Sequence, residues 1–325
     1  MKFKYALLAL ILAGCAGQTG LPPTPTPPEN GPTTSAIATT PAATASAEPS
    51  TPSAEGPPAT AAASSDPVAR PSGDTVGRPT GPATTPTGRP VGESASGPPA
   101  GASWQIQYTG NLEVDDATIV NIDGADASED VVSQVRARGG YAVCYINAGA
   151  FEPWRADASR YPELLLGRGM VGWPTERWVD IRRLDVLMPI LEARMDTCRD
   201  KGFQAVDPDN VDGWAHDTGF NLTRADSVAL VQALASAAHS RGLAIGLKNG
   251  IEIISQVVDT VDFAVNEQCV AHGECGAYQP FLARGKAVLH VEYEGSRDAV
   301  CSARPPGFCS VLKGHALGPD RISCP

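Results

Sequence analysis

Four times in this chain a helix-like stretch runs into a basic residue, then a glycine, then an apolar strand. Arg138-Gly139 precedes Ala142-Val143-Cys144-Tyr145-Ile146, and Lys201-Gly202 precedes Phe203-Gln204-Ala205-Val206. Arg241-Gly242 precedes Leu243-Ala244-Ile245-Gly246-Leu247, and Arg284-Gly285 precedes Lys286-Ala287-Val288-Leu289-His290-Val291. A cation in the last helical turn complements the macrodipole, and the glycine supplies the left-handed position that ends the helix. The helices themselves are readable. Thr223, with Asp226 three residues on, can cap a helix running to about Ser240 with Val228, Val231, Leu234 and Ala238 on one face. Leu187, Ile190, Leu191, Met195 and Cys198 form a second apolar stripe ahead of Lys201-Gly202. Near-continuous apolar strands alternating with amphipathic helices imply a parallel sheet covered by helices. Further strands fit Trp104 to Tyr108, Ile119 to Asp123, Phe263 to Val265 and about Phe308 to Leu312, making eight. The expected fold is therefore α/β, a (β/α)8 TIM barrel over residues 103–325, with a doubly wound open sheet as the alternative.

The first third of the chain is of another kind. Residues Gly17 to Ala102 are nearly all Pro, Thr, Ala, Ser and Gly. Such a segment cannot bury enough apolar surface to offset its ordering entropy, so a disordered tether is expected over residues 15–102. Its prolines favour an extended form reaching at most roughly 250 Å at ~3.1 Å per residue. Ahead of it, Lys2 and Lys4 precede a short apolar run, Tyr5 to Ala13, about half the ~20 residues of a membrane span. The run reads as a signal peptide over residues 1–14. It ends Leu12-Ala13-Gly14-Cys15, which resembles the lipobox of bacterial lipoproteins; that implies cleavage before Cys15 and a diacylglycerol on its sulfur. Ala16 follows rather than an aspartate, so the expected location is an outer membrane or cell surface, with the lipid as anchor.

The tether's charges nearly balance: Lys2, Lys4, Arg70, Arg78 and Arg89 stand against Glu29, Glu48, Glu55, Asp66, Asp74 and Glu93. Nearly all of the net charge of −11 therefore falls on the globular part. An acidic domain argues against nucleic acid as a partner and suits a cationic ligand. With Cys15 lipidated, an odd number of cysteines remains. Cys269 and Cys275 enclose a short polar loop and are the expected disulfide. One more bond is expected among Cys301, Cys309 and Cys324, and Cys144, in an apolar strand, is expected to be a free core thiol. No zinc spacing occurs, the five histidines are scattered, and no metal or cofactor is implied.

Each apolar strand stops on polar residues: Asp123; Asn147; Asp207-Pro208-Asp209-Asn210; Lys248-Asn249; Asn266-Glu267-Gln268; Glu292-Tyr293. In a parallel barrel these endings converge on the C-terminal face, where active sites lie. No nucleophile elbow or phosphate-cradling glycine motif is present. Facing carboxylates are what glycosidic cleavage requires, and Trp104, Tyr108, Trp154, Trp173 and Trp214 suit stacking on sugars.

At these residues the sequence resembles glycoside hydrolase family 114, the endo-α-1,4-polygalactosaminidase family. The resemblance covers Ser103 to Pro325 and rests on Trp104 to Tyr108, Cys144 to Gly149, Val206 to Gly213, Gly246 to Asn249, Phe263 to Cys269 and His290 to Tyr293. It implies a TIM barrel and an α-1,4-linked galactosamine-containing polysaccharide as substrate. The family's strand-four motif often begins with glutamate, where this chain has the shorter Asp207, and the stretch after Glu294 has an unusual cysteine-rich form. Carried over, the catalytic carboxylates are Asp209 and Glu267, which the residue pattern also selects. Asp207 and Asp209, two apart on a strand, share a face. Asp123, Tyr145, Asp207, Asn210, Lys248, Asn249, Glu292 and Tyr293 are the expected substrate-binding residues, with Asp123 pairing a substrate ammonium. Asp209, beside the amide of Asn210, is the expected nucleophile. Glu267, backed by Phe263 and Val265, is expected to have a raised pKa and serve as general acid/base in a retaining mechanism. A surface-tethered barrel that binds polysaccharide without cleaving it is the competing reading; metal-assisted deacetylation lacks the histidines it would want.

The anchor is tested directly. Cys15→Ser is expected to move the protein from the membrane to the soluble fraction; a variant that still sediments with membranes rejects the lipobox.

Overall fold

A computed structural model describes residues 96–112 and 116–324. The expected signal peptide, the cysteine expected to be lipidated, Cys15, and nearly all of the expected tether lie outside the described residues.

The eight expected strands are present: β1 (Trp104–Gln107), β2 (Ile119–Asp123), β3 (Tyr141–Asn147), β4 (Ala205–Asp209), β5 (Ala244–Lys248), β6 (Phe263–Glu267), β7 (Val288–Glu292) and β8 (Phe308–Leu312). They are parallel and pair in chain order, β1 to β8, with a short antiparallel strand, Ile322–Ser323, on the outer edge of β8. Among the described residues no ladder joins β8 to β1. The C-terminal segment closes that seam. Lys313 Nζ donates to Gln105 Oε1 at 2.8 Å and to Gly318 O at 2.6 Å, Arg321 donates to Trp104 O at 2.9 Å, and Tyr108 N–H donates to Leu317 O at 2.9 Å. The lumen is filled by Trp104, Ile106, Ile119, Val143, Phe263, Val265, Leu289 and Val311.

Three long helices cover the sheet: α1 (Glu129–Ala137), α2 (Leu184–Asp200) and α3 (Arg224–Ser240). The stripe predicted on α2 is its buried face, and Thr223 and Asp226 form the capping box that starts α3. Gly139, Gly202, Gly242 and Gly285 all have positive φ, between 67° and 88°, as the repeated helix ending requires. Two features depart from the repeat. After β5, β6 and β7 the helical segments are short, such as Ile254–Val257, Cys269–His272 and Arg297–Ala303. Between β3 and α2 the chain makes a separate antiparallel sheet in which Trp173–Val179 pairs with both Ala150–Phe151 and Leu166–Met170.

Cys144 corrects the cysteine reading. It is bonded to Cys198, stapling β3 to α2. Cys144 lies between Val143 and Tyr145, so strand alternation turns it from the lumen toward the helix layer, where Cys198 ends the buried stripe of α2. Gly124 leaves the room: a Cβ there would stand 2.2 Å from Cys144 Sγ. Among the described residues, Cys269–Cys275 and Cys301–Cys324 are the other two bonds, and Cys309 is the buried free thiol.

The Cys144–Cys198 bond spans 54 residues and Cys269–Cys275 only 6. By the chain-entropy relation, Cys144→Ala/Cys198→Ala is expected to lose about 4 kcal/mol of unfolding free energy and Cys269→Ala/Cys275→Ala about 2. Urea titration under non-reducing conditions measures both; an inverted order rejects the long staple as the greater constraint.

Candidate active site

Strand alternation sends every second side chain into the lumen, so position along each strand decides what reaches the C-terminal mouth. On β4, Asp207 and Asp209 both face inward, Asp207 fully buried beneath Asp209. On β5, Lys248 is the last residue, its side chain only 2% exposed. On β6, Glu267 is the last residue, with 27% of its side chain exposed, against 22% for Asp209. The two carboxylates thus reach solvent and the ammonium does not. Lys248 Nζ lies 3.7 Å from Asp209 Oδ1 and 3.7 Å from Glu267 Oε2. Those two oxygens are therefore separated by no more than twice 3.7 Å.

Each carboxylate has further donors. Tyr145 OH donates to Asp209 Oδ2 at 3.0 Å and the Asn210 N–H to Asp209 Oδ1 at 2.9 Å. Tyr293 OH donates to Glu267 Oε1, and Asn249 Nδ2 to Glu267 Oε2 at 3.1 Å. Beneath them Asn121 Nδ2 donates to Asp207 Oδ2 at 2.7 Å, while Asp207 Oδ1 is buried without a partner. Burial raises the Asp207 carboxyl to about 6. Burial also raises Asp209, despite Lys248, and the charge of Glu267 adds to the shift. Glu267 goes the other way. Burial opposes its charge, but Lys248, Tyr293 and Asn249 together hold it below the ordinary carboxylate value. The expectation that Phe263 and Val265 would raise it is not met, because its two oxygens face donors, not the apolar residues below. The two members of the pair are thus shifted in opposite directions, Asp209 up and Glu267 down.

The strands end abruptly here. Asn210, Asn249 and Gln268 are left-handed residues with φ of 60°, 49° and 66°, each directly after Asp209, Lys248 or Glu267. Non-glycine residues seldom adopt this conformation, asparagine most readily. Asn210 is further held by Asn147, whose Oδ1 accepts from its Nδ2 at 3.0 Å. Gly149 makes the close approach possible, since a Cβ there would lie 1.7 Å from Asn210 O.

Of the expected binding residues, Tyr145, Asp207, Asn210, Lys248, Asn249 and Tyr293 gather around the pair. Two do not. Glu292 precedes Tyr293, so alternation turns it outward. It is 1% exposed, 2.8 Å from His290 Nε2, and accepts the Val270 N–H at 2.8 Å. Asp123 points toward the mouth, but Arg155 takes both its oxygens at 2.9 and 2.6 Å, so it has no free charge for a substrate ammonium. Arg155 also binds Glu152, and both come from the insertion after β3. That insertion supplies Glu176 as well, a residue the sequence reading passed over. Glu176 accepts from Asn147 Nδ2 at 3.3 Å, and its carboxyl is raised to about 7 by burial and by the charges of Glu152 and Asp209. Asn121 was also missed, although its place two residues before Asp123 puts it on the same face.

A groove of about 330 Å³ leads away from Glu267 and Asn249. Asp212, Trp214, Glu252 and Glu274 line it with His216 and His272, and no lysine or arginine does. This side of the mouth is acidic, with one aromatic face.

No curated protein matches the chain significantly. Among solved structures, Aspergillus fumigatus Ega3, crystallised as a complex with galactosamine, is 36% identical, the match covering 71% of this chain and 99% of that one with a TM-score of 0.66. The glycoside hydrolase domain of PelA from Pseudomonas aeruginosa shares the fold at 16% identity, over 69% of this chain and 98% of its own, with a TM-score of 0.54. The sequence profile of glycoside-hydrolase family GH114 matches residues 85–325, a span holding the barrel and every residue of the mouth described above; the chain belongs to that family.

Proposed function

We propose that this protein is an endo-acting glycosidase of an α-1,4-linked galactosamine-containing polysaccharide, exported and held at a membrane by the lipid on Cys15. The carrying observation is the pair of partly exposed carboxylates, Asp209 and Glu267, on one buried ammonium at the mouth of the barrel. Their oxygen separation admits the roughly 5–5.5 Å of a retaining enzyme and lies below most of the roughly 6.5–9.5 Å range of an inverting one. Retention proceeds by double displacement. One carboxylate attacks the anomeric carbon as the other protonates the departing oxygen, and water then cleaves the glycosyl ester after giving its proton to the second group. The lowered pKa of Glu267 favours it as the attacking group and the raised one of Asp209 favours it as the proton donor, the reverse of the order expected from Asn210 beside Asp209 and the apolar residues behind Glu267. The substrate is supported by the acidic groove and by the galactosamine bound in the relative Ega3.

Asp209→Asn and Glu267→Gln are each expected to lower kcat by at least about 1,000-fold with the fold intact, read as new reducing ends released from a galactosamine polymer. A wild-type protein that binds the polymer without releasing ends would establish the binding-only barrel instead. Azide added to the alanine variants separates the roles. Glu267→Ala is expected to give a glycosyl azide of inverted anomeric configuration and Asp209→Ala one of retained configuration; the opposite pairing makes Asp209 the nucleophile.

Charge steering has its own readout. Raising salt from 0.01 to 0.15 M shortens the Debye length from about 30 to about 8 Å. It is expected to slow turnover of the deacetylated, cationic polymer more than that of the acetylated one. Equal sensitivity removes the acidic groove from substrate capture.

A further inference from the structure

Lys248 was expected to meet the sugar, and the structure buries its side chain at the foot of the mouth. Its side chain is 2% exposed, below two carboxylates ten-fold or more exposed. Gly246, two residues earlier on the same face, has no side chain to fill the lumen. The Phe263 ring occupies that space, where a Cβ would meet it at 2.7 Å, and forms part of an apolar floor. The ammonium stands 5.9 Å from the centre of the Tyr145 ring. The titratable groups around it are Tyr108 after β1, Tyr145 on β3, Asp207 and Asp209 on β4, Glu267 on β6 and Tyr293 after β7. No other cation is among them.

We propose that Lys248 is a positioning residue for the reaction: from beneath the substrate it links Asp209 to Glu267 and fixes their spacing. This rests on the reading of those two residues as the reacting pair. The geometry gives the ammonium one oxygen of each carboxylate at the same distance and leaves the other oxygens, Asp209 Oδ2 and Glu267 Oε1, to Tyr145 and Tyr293. Each carboxylate is thereby held at both of its oxygens. Burial alone would strip a lysine of its proton, but Asp209 and Glu267 raise Lys248 well above its ordinary value, so it stays charged through the working pH range. The sign of its influence follows. Lys248 lowers the pKa of Glu267, so removing it moves the protonation of Glu267 to higher pH and narrows the range in which that group is ionised.

The test compares wild type, Lys248→Met and Lys248→Arg on a soluble α-1,4-linked galactosamine oligomer, with kcat and KM measured across pH. Lys248→Met is expected to lower kcat about 100-fold, to leave KM within about threefold, and to move the acid limb of kcat/KM upward by at least about one pH unit. Lys248→Arg keeps a charge and is expected to leave the limb within about half a unit of wild type. An acid limb that stays in place in Lys248→Met, or a KM that rises tenfold at unchanged kcat, overturns the proposal; the second result would make Lys248 a sugar ligand. If wild type releases no ends at all, the proposed function has failed, and the linkage is judged on folding alone. The unfolding equilibrium constant is then measured for Lys248→Met in the wild-type and Glu267→Gln backgrounds. The effect of losing Lys248 is expected to shrink at least about fivefold when Glu267 is an amide. Equal effects overturn the link, as does a Lys248→Met/Glu267→Gln chain that fails to fold while Glu267→Gln folds.

Discussion

Among the described residues, the ammonium of Lys248 is the cation that faces Asp207, Asp209 and Glu267 together, and the mouth is organised around that imbalance. In a poorly screened interior, opposite charges a few ångströms apart interact far more strongly than in water, and an uncompensated buried carboxylate is costly. The chain meets this in two ways. Asp209 and Glu267 share Lys248, whereas Asp207, left with one amide donor and one orphaned oxygen, is pushed toward its neutral form. The tyrosines complete the arrangement: Tyr145 and Tyr293 donate to the outer oxygens, and their own hydroxyls are raised far out of the titrating range by burial. The result is a densely bonded polar patch above an apolar floor.

Much of the barrel was legible because its signals are local. A glycine after a basic residue marks a helix end whatever the helix packs against, and all four such glycines have the backbone conformation they were read to need. The stripe on α2 and the capping box on α3 are equally short-range. The insertion between β3 and α2 carries no such signal. Leu166–Met170 includes two glycines, and Trp173–Val179 begins on an exposed tryptophan and a proline, so neither shows the apolar run of a barrel strand. The seam between β8 and β1 was hidden for a different reason. It is made by Lys313, Arg321 and loop backbone reaching more than 200 residues back along the chain, and nothing in the sequence near Gln105 announces them.

The site was legible to the extent that period two is. Asp207 with Asp209, and Tyr145 on the neighbouring strand, follow from counting. Glu292 shows how small an error in that count matters. It adjoins Tyr293, yet one step along the strand carries it to the far face, against His290 and Val270. Asp123 fails differently: its face was right, but its charge is taken by Arg155, whose position depends on the unrecognised insertion. Cys144 combines both lessons, since alternation gives its direction and only the packing of α2 gives its partner.

Three adjacent strands leave the sheet through Asn210, Asn249 and Gln268, each left-handed and each directly after a residue of the mouth. A torsion angle, not the composition of the following loop, sets where the chain departs. Asp212, Trp214, Glu252 and Glu274, which line the groove, lie on the segments beyond these corners. The mouth is thus built in two tiers: the corners end the strands that hold Asp209, Lys248 and Glu267, and the segments past them supply the acidic wall of the groove.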